Sequence, residues 1–275
     1  MTTLTVLGSG SRGNACALMS GGRTLLLDAG FSAREIARRA EAGSVDLGTL
    51  CGIALTHEHG DHAQGAVRLA RRYGVPVLAS AGTWAALGAP ARVKHLSLRG
   101  IGCTECGPFT LAGCMLLHDA AEPLALTVTT QDGVRLGVAY DFGRPTQALR
   151  YHFREVTALV LEANYDEVML RTSEYPPAVQ HRIAGSGGHL SNRSSAQLLV
   201  ELFHPGLTTV VLAHLSQRCN TPVAARETVE PVLRARGFVG ELVVALQDHV
   251  LPPLALARGA DLQAELLEAG PGASG

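Results

Sequence analysis

The feature that most constrains this chain is a short apolar strand that runs directly into a cluster of metal-ligating side chains. The strand covers residues 52–55, and the next seven positions hold His57, His59, Asp61 and His62. In extended backbone, side chains two positions apart point the same way, so His57 and His59 can bind one metal ion together. A turn into a following helix would then direct Asp61 and His62 towards a second ion. The segment therefore predicts a metal site with two positions.

The donor atoms of this segment narrow the choice of metal. Imidazole suits zinc and related ions, carboxylate suits harder ions such as manganese, and mixed sites of this kind also accept iron. Gly60 lies at the predicted turn, and we expect its tolerance of unusual backbone angles to make that turn easy. The alternative interpretation is a polar helix start with coincidental histidines. Three histidines and a carboxylate within six residues disfavour it.

Short apolar strands alternate with helical stretches along the chain, without a strict strand–helix–strand rhythm. Hydrophobic residues make up 47% of the 275 residues and charged residues 17%, which is enough for a large core and disfavours disorder. The pattern predicts an α/β fold of two sheets covered by helices. We expect one domain over residues 1–257 and a flexible C-terminal tail over 258–275, which ends in Gly, Pro, Ala and Ser.

Local signals predict the bounds of several elements. Ser32 stands three residues before Glu35, a capping-box spacing that predicts the start of a helix, and Gly43 should end it. Pro252 and Pro253 should end the regular structure. Further helices are expected over residues 63–73, 192–203 and 222–236. Strands are expected over residues 6–7, 15–19, 24–27, 109–111, 113–117, 124–130, 134–140, 208–212 and 242–245.

Bulk charge and the N-terminal segment bear on partners and location. The net charge is −1, which gives no general attraction to nucleic acid. Residues 2–7 are predicted as a strand rather than a signal peptide, and no apolar run approaches the ~20 residues of a membrane span. The cysteines include a single CxxC, at residues 103–106, so we interpret them as reduced thiols. We therefore expect a cytoplasmic protein with no membrane partner.

The HxHxDH segment after a strand resembles the hallmark of the metallo-β-lactamase superfamily. That family pattern also asks for an Asp that ends an earlier strand, a later lone His, a bridging Asp and a final His. The segments that supply them are LLLDAG at 25–30, LHDA at 117–120, AYDFG at 139–143 and LAHLS at 212–216. The resemblance implies the αββα sandwich, in which two mixed sheets are flanked by helices and the metal site lies at one edge.

Carried over position by position, the resemblance assigns a role to each matching residue. His57, His59 and His118 would bind the first ion, and Asp61, His62 and His214 would bind the second. Asp141 would bridge the two ions. Asp28 would not bind an ion but would orient one of the ligands from behind. Flavodiiron oxygen reductases of this superfamily have Glu where this chain has His59, so hydrolysis is favoured over redox chemistry.

Three loops narrow the resemblance to one branch. GSGSRGN at 8–14 and GGHLSN at 187–192 offer backbone N–H groups for a phosphate, the second at a helix N-terminus. HLSQRCN at 214–220 is similar to the HxSxR segment of RNase Z-type phosphodiesterases, which usually have Tyr in place of Cys219. Together with THEHGDH, these loops resemble the YycJ/WalJ-like branch, whose members are regarded as cytoplasmic DNA exonucleases. AYDFG replaces the more usual TDxG of that branch but keeps the Asp.

The function implied is metal-assisted hydrolysis of phosphodiester bonds, with DNA attacked from a 5′ end as the expected reaction. Two divalent cations would lower the pKa of a bound water; Asp61 would take its remaining proton, and His189 would protonate or hydrogen-bond the leaving oxygen. Capping of the helix near residue 192 is the alternative role for His189. The candidate substrate-binding residues are Arg12, Asn14, Ser191 and Asn192.

Other functions stay open at the level of sequence. Hydrolases of this fold also act on thioesters, lactams and small or cyclic phosphodiesters, and the HLSQR and GHLSN segments argue against the first two. RNA is an alternative substrate to DNA. A metal-binding regulatory protein without turnover is disfavoured by the complete set of ligands. The sequence fits several oligomeric states and either polarity of cleavage.

Overall fold

The computed structural model describes residues 1–100 and 102–258, so the predicted tail lies outside the described residues except for Arg258. The strands are β1 (Thr2–Gly8), β2 (Ala15–Ser20), β3 (Arg23–Leu27), β4 (Leu50–Ala54), β5 (Val77–Ala79), β6 (His95–Ser97), β7 (Thr104–Cys106), β8 (Phe109–Met115), β9 (Leu124–Thr130), β10 (Arg135–Ala139), β11 (Ala158–Glu162), β12 (Thr209–Ala213), β13 (Glu241–Val244) and β14 (Leu254–Leu256). The helices are α1 (Ala33–Ala42), α2 (Gly60–Ala63), α3 (Ala66–Tyr73), α4 (Ala81–Ala86), α5 (Gln147–Phe153), α6 (Glu167–Arg171), α7 (Pro177–Ala184), α8 (Asn192–Leu202) and α9 (Pro222–Ala235).

Within the described residues, the strands form two sheets of seven strands each. The first sheet has the order β14-β1-β2-β3-β4-β5-β6, and the second has the order β13-β12-β11-β10-β9-β8-β7. Both sheets are mixed: β3 to β6 run parallel in the first, β10 to β13 run parallel in the second, and the remaining pairs are antiparallel. Leu27 pairs with Ala54, so β3 and β4 end side by side.

Alternation along the strands divides the apolar side chains between two faces of each sheet. Leu25 and Leu27 belong to a core cluster that also contains Val138 and Val160 of the second sheet, so this cluster lies between the sheets. Leu26, between them in sequence, belongs to a different cluster, which joins the outer face of the first sheet to α1 and α3. A third cluster joins the outer face of the second sheet to α5, α8 and α9. These four layers confirm the predicted αββα sandwich of two mixed sheets flanked by helices.

Of two helix predictions, the one that begins at Ser32 is confirmed and the one over residues 63–73 is not. Ser32 Oγ accepts a hydrogen bond from the Glu35 N–H at 3.2 Å, and Gly43 follows the last residue of α1, as the capping box predicts. The single helix predicted over residues 63–73 is wrong, because α2 and α3 are separate. The helix is interrupted at Gly65, whose N–H donates to the Ala29 carbonyl at 2.8 Å rather than to the preceding helical turn.

Two strand predictions also need correction. Residues 109–115 form one strand instead of two, because pairing with β9 continues through the predicted gap at Ala112. Pro252 and Pro253 do not end the regular structure. The next three residues form β14, an edge strand in which Leu254 and Leu256 pair with β1. A proline can stand immediately before an edge strand because its missing N–H removes no ladder hydrogen bond there.

The cysteines and the helices agree with two further expectations from sequence. All six cysteines are free thiols, as predicted. Cys51 and Cys106 lie close together on facing sheets, and the Cys106 thiol donates to the Cys51 carbonyl at 3.2 Å. In the part of the chain that the structure describes, every helix is too short or too polar to cross a lipid bilayer.

Candidate metal centre

The candidate site lies where the carboxyl ends of parallel strands from both sheets meet. In the first sheet, β3 ends before Asp28 and β4 leads into the loop 55–59. In the second sheet, β10, β11 and β12 end before Asp141, at Glu162 and before His214. The carboxyl ends of parallel strands are where α/β folds commonly bind ligands, because the loops there converge above the sheet. The topology therefore brings residues from distant parts of the sequence to one edge of the sandwich.

One group of possible ligands consists of His57, His59 and His118, whose donor atoms all lie within 4.8 Å of one another. His118 Nε2 lies 3.4 Å from His59 Nδ1. The other nitrogens of two of these rings have protein partners: His118 Nδ1 is 3.0 Å from the Gly187 carbonyl, and His57 Nδ1 is 3.0 Å from Thr56 Oγ1. Hydrogen bonds of this kind fix the ring orientation and leave Nε2 for a metal ion.

A second group consists of Asp61, His62 and His214. Asp61 Oδ2 lies 3.5 Å from His62 Nε2 and 3.6 Å from His214 Nε2. Asp141 lies between the two groups, since its Oδ2 is 2.8 Å from His62 Nε2 and 3.6 Å from His57 Nε2. The structure thus brings the seven predicted ligands together, with Asp141 near both of these groups. Two further groups overlap with them: His57, His62 and Asp141, and Asp141, Glu162, His189 and His214.

The chemistry of the donor atoms fits metal ions. His57 Nε2 and His214 Nε2 are buried and have no hydrogen-bond partner among the described residues. A buried polar atom without a partner is costly, so these nitrogens need a ligand that the protein itself does not supply. Burial, together with the nearby His62, lowers the pKa of His57 to about 2, so that this imidazole is neutral and its lone pair is available to a cation.

Asp28 supports the second group from behind. Its Oδ2 lies 2.7 Å from His62 Nδ1, and its Oδ1 accepts the Thr56 N–H at 2.8 Å. The carboxylate is fully buried, and its partners account for that burial. Asp28 therefore stands where the sequence predicted it to orient a ligand.

Glu162 is a site residue that the sequence interpretation missed. It is fully buried, and its Oε1 lies 2.8 Å from both His214 Nδ1 and His189 Nδ1. Its Oε2 accepts the Phe142 N–H at 3.2 Å and the Leu190 N–H at 3.0 Å. Burial alone would raise the pKa of Glu162, but the adjacent histidines lower it overall, so the carboxylate is ionised. A glutamate at the end of the apolar run ALVLE was the available signal, because a buried charge needs partners.

His189 lies on the cavity wall and does not cap α8. Its Nδ1 lies 2.8 Å from Glu162 and 3.0 Å from Asp141 Oδ1, and among the described residues no hydrogen-bond partner is found for its Nε2. The cap of α8 is Ser191, whose Oγ accepts the Ser194 N–H at 3.1 Å. The alternative role considered for His189 is therefore filled by another residue.

A cavity of about 320 Å³ opens onto the cluster, and it is lined by Ser11, His59, Asp61, His118, Asp119, Asp141, Arg182, Ile183, Gly187, Gly188, His189 and His214. None of the four candidate substrate-binding residues is on this wall. Asn14 is buried and bonds to Ser9, and Asn192 is buried in a reciprocal pair with Asn220 at 2.9 and 2.8 Å. Arg12 is exposed and pairs with Asp248 at 2.6 Å.

Comparison with known proteins agrees with the fold. The model of the metallo-β-lactamase superfamily matches residues 10–160. The chain is 32% identical over 246 residues to exodeoxyribonuclease YycJ of Bacillus anthracis, covering 86% of this chain and 91% of that protein. It is 29% identical to exodeoxyribonuclease WalJ of Streptococcus pneumoniae, covering 82% and 85%.

A solved structure agrees in fold along nearly the whole chain. The metallo-β-lactamase fold protein YhfI of Bacillus subtilis superposes with a TM-score of 0.70 at 18% identity, over 91% of this chain and 98% of that one. At this identity the match concerns the fold alone. With the sequence relatives and the ligand cluster, it leads to one assignment: this chain belongs to the metallo-β-lactamase superfamily and is a metal-dependent hydrolase.

Proposed function

We propose that this hydrolase is a nuclease that uses two divalent metal ions to cleave phosphodiester bonds of DNA from a 5′ end. The observation that carries the proposal is a pair of ligand groups beside an open cavity, with Asp141 close to a histidine of each group. The exonuclease names of the two sequence relatives support nucleic acid as the substrate. Nuclease sites with two metal ions are a recurring solution for this chemistry.

The geometry supports a proposal for the residues that would hold the ions. His57, His59 and His118 would hold one ion, Asp61, His62 and His214 would hold the other, and Asp141 would contact both. When bound, two cations activate a water molecule and stabilise negative charge on phosphate oxygens. The donor set of imidazoles and carboxylates suits zinc, manganese or iron.

Two residues are proposed to handle protons. Burial raises the pKa of Asp61, but the nearby His214 and His62 lower it overall to well below its usual range, so its side chain is a carboxylate, the form that a proton acceptor requires. His189 is proposed to stabilise or protonate the leaving oxygen through Nε2. Glu162 and Asp141 hold its Nδ1, which orients the ring and favours a proton on it.

A small or cyclic phosphodiester is the second candidate substrate. The cavity volume of about 320 Å³ lies at the lower end of the range of small-molecule sites, so one nucleotide-sized ligand would fill much of it. A nuclease places a similar volume of substrate at the reacting phosphate and leaves the rest of the strand outside. The two candidates therefore differ in what lies beyond the cavity.

The test is hydrolysis of end-labelled oligonucleotides by protein loaded with manganese or zinc. DNA and RNA of one sequence, each with and without a 5′-phosphate, would be compared with bis(p-nitrophenyl) phosphate, and His59→Ala would serve as the inactive control. We expect DNA to be shortened stepwise from the 5′ end. Hydrolysis of the chromogenic diester with every oligonucleotide left intact would overturn the nuclease proposal and favour the small-substrate candidate. Activity in neither assay would favour a regulatory metal-binding protein.

We also infer a cytoplasmic location. The six free cysteines support it, because thiols stay reduced in that compartment. Fractionation of the source cells would test this, and recovery of the protein outside the cytoplasm would contradict it.

A further inference from the structure

Arg182 lies on the wall of the site cavity, and the proposed chemistry gives it no role. It belongs to the last turn of α7, a helix that has no buried residue. Among the described residues that line the cavity, it is the single arginine. With neutral histidines bound to metal, Arg182 would be the permanent positive charge that the chain itself adds to this wall.

The guanidinium of Arg182 is free. Its side chain is exposed and has no ion pair or hydrogen bond with the described part of the chain. Other arginines near the site are engaged: Arg12 pairs with Asp248 at 2.6 Å, and Arg193 lies 3.4 Å from Glu167. A guanidinium carries five N–H donors in a fork that matches the oxygens of a phosphate. Arg182 can therefore offer all of its donors to a ligand.

The backbone fixes Arg182 relative to His189. The His189 N–H donates to the Ile183 carbonyl at 2.8 Å, and the Gly185 N–H donates to the Arg182 carbonyl at 3.3 Å. The loop closes so tightly that a Cβ on Gly188 would collide with the carbonyl oxygens of Arg182 and Ile183. Arg182 and the proposed leaving-group residue thus occupy one wall, and backbone hydrogen bonds close the loop between them.

Arg182 also stands apart from the ligand groups, since it carries a charge on the same wall without taking part in either of them. Cations bound by those groups would neutralise the phosphate that is hydrolysed. A further fixed cation can contact another oxygen of the reacting phosphate or a further anion of the substrate, and the two cases differ in whether the preference depends on a second phosphate. Each nucleotide of a nucleic-acid strand brings one, whereas an isolated phosphodiester does not.

We propose that Arg182 binds a second phosphate of the substrate, next to the one that is hydrolysed, and so makes the site selective for nucleic-acid strands over isolated phosphodiesters. This inference rests on the proposed nuclease function and names the feature of the substrate that the cavity wall recognises.

Three thymidine dinucleotides test the inference. One has a single internal phosphodiester, the second has an additional 5′-phosphate, and the third has an additional 3′-phosphate. The wild-type protein should prefer one of the two phosphorylated forms, and that form shows on which side of the reacting bond Arg182 lies. Equal kcat/KM values for all three substrates would overturn the inference.

The variant Arg182→Ala should remove that preference. We expect kcat/KM for the preferred dinucleotide to fall about 10- to 100-fold, the effect of one or two charge-assisted hydrogen bonds, and kcat/KM for the unphosphorylated one to change less than about twofold. The slope of log KM against log salt for a longer strand should decrease by about one. An equal loss for all three dinucleotides, or no loss for any, would overturn the inference.

Arg171→Ala is the matched control. Arg171 is also exposed, on the neighbouring helix α6, but it lines a separate cavity on the other side of α7. This variant should keep the wild-type preference for one of the phosphorylated dinucleotides. If Arg171→Ala lost that preference, the result would count against a specific role for Arg182. Failure of the nuclease proposal looks different: wild-type protein would hydrolyse bis(p-nitrophenyl) phosphate but none of the dinucleotides and no longer DNA.

Discussion

Three non-glycine residues of the site share a backbone conformation that L-residues rarely adopt. Asp28, Asp141 and His214 have φ angles of 57°, 54° and 56°, and each stands one or two residues past the end of a strand. This conformation costs on the order of 1 kcal/mol or more per residue. It persists because the surroundings hold it: the Asp28 N–H donates to the Ala54 carbonyl at 2.8 Å, and the His214 N–H donates to Ser9 Oγ at 2.8 Å.

Metal content tests the ligand groups one residue at a time. Protein supplied with zinc or manganese should hold close to two ions per chain. His59→Ala and His214→Ala should each lower that content, because each removes a donor from a different group. The exposed His249, which lies outside both groups, gives the control, and His249→Ala should retain the wild-type content. Elemental analysis after desalting measures this, and full content in both ligand variants would remove those assignments.

Substitutions of His189 and Glu162 should differ in their effects on turnover and on metal binding. His189→Ala should lower turnover about 10²- to 10⁴-fold, the usual contribution of a general acid, and leave the metal content intact. Glu162→Gln should lower turnover and also weaken metal binding about 10- to 100-fold, because Glu162 orients the ligand His214 as well as His189. Steady-state kinetics and metal titration separate the two effects. Identical phenotypes in both variants would contradict this division of roles.

Ligand types and spacing predicted that His57, His59, Asp61 and His62 belong to one site, whereas His118, Asp141 and His214 were added only by the family resemblance. Sequence position alone could not show which side chains near a glycine-rich loop face the cavity. Asn14 follows the GSGSRG segment, yet its amide bonds to the Gly10 carbonyl and lies 3.1 Å from His62 Nε2. Arg182 belongs to none of the motifs identified in the sequence. Its position on the cavity wall depends on how α7 packs against the loop before His189.

At the scale of elements, the ligand loop depends on its contacts with the loops that follow β1 and β3. The Asn14 N–H donates to the Asp61 carbonyl at 2.8 Å, and the Ala29 N–H donates to the His62 carbonyl at 2.7 Å. A Cβ on Gly30 would collide with the Asp61 carbonyl. Gly60 was expected to ease the turn because glycine tolerates unusual backbone angles, and that tolerance is not used: Gly60 begins α2, and its φ is not positive.

Alanine at these two glycines gives a matched pair. Gly30→Ala should destabilise the protein by about 1–3 kcal/mol and weaken metal binding, because the ligand loop must shift to admit a methyl group. Gly60→Ala should be neutral in both respects, since nothing lies within 4 Å of the added carbon. Urea unfolding and metal titration of the two variants check this. An effect of Gly60→Ala as large as that of Gly30→Ala would contradict the packing argument.

At the scale of the whole molecule, one histidine away from the site should make stability sensitive to acid. Burial, and secondly the charge of Arg135, lower the pKa of His152 to about 4. The unfolded chain takes up this proton near pH 6.5, whereas the folded protein does so near pH 4, so the free energy of unfolding falls as the pH is lowered between these values.

The variant His152→Leu should remove the fall in the free energy of unfolding that His152 causes at low pH. Between pH 7.5 and pH 5 its free energy of unfolding should fall by about 1–2 kcal/mol less than that of the wild-type protein. At pH 7.5 the two should be similar, because His152 is neutral there and its Nε2 is buried without a hydrogen-bond partner among the described residues. Urea unfolding at both pH values measures the difference. Parallel pH dependence in the two proteins would show that His152 does not carry it.

Strand alternation and the family resemblance predicted the four-layer architecture, because period-two burial assigns each apolar side chain to the inner or outer face of a sheet. Short elements escaped prediction for a physical reason. β5 and β6 have three residues each, and their pairing comes from the sheet they join rather than from local sequence. β14 is short as well and is held by its neighbour β1.

The two sheets each supply part of the ligand groups. The loop with His57, His59 and His62 follows a strand of the first sheet, whereas His118, Asp141 and His214 follow strands of the second. A bound ion would therefore act as a cross-link between two halves of the sandwich, and separation of the halves would release it. By mass action, an ion at 100 times its dissociation constant adds about 2.7 kcal/mol to the free energy of unfolding. The Tm should consequently rise with the logarithm of free metal concentration, and His59→Ala should flatten that rise; a Tm independent of metal would mean that the halves are held together without it.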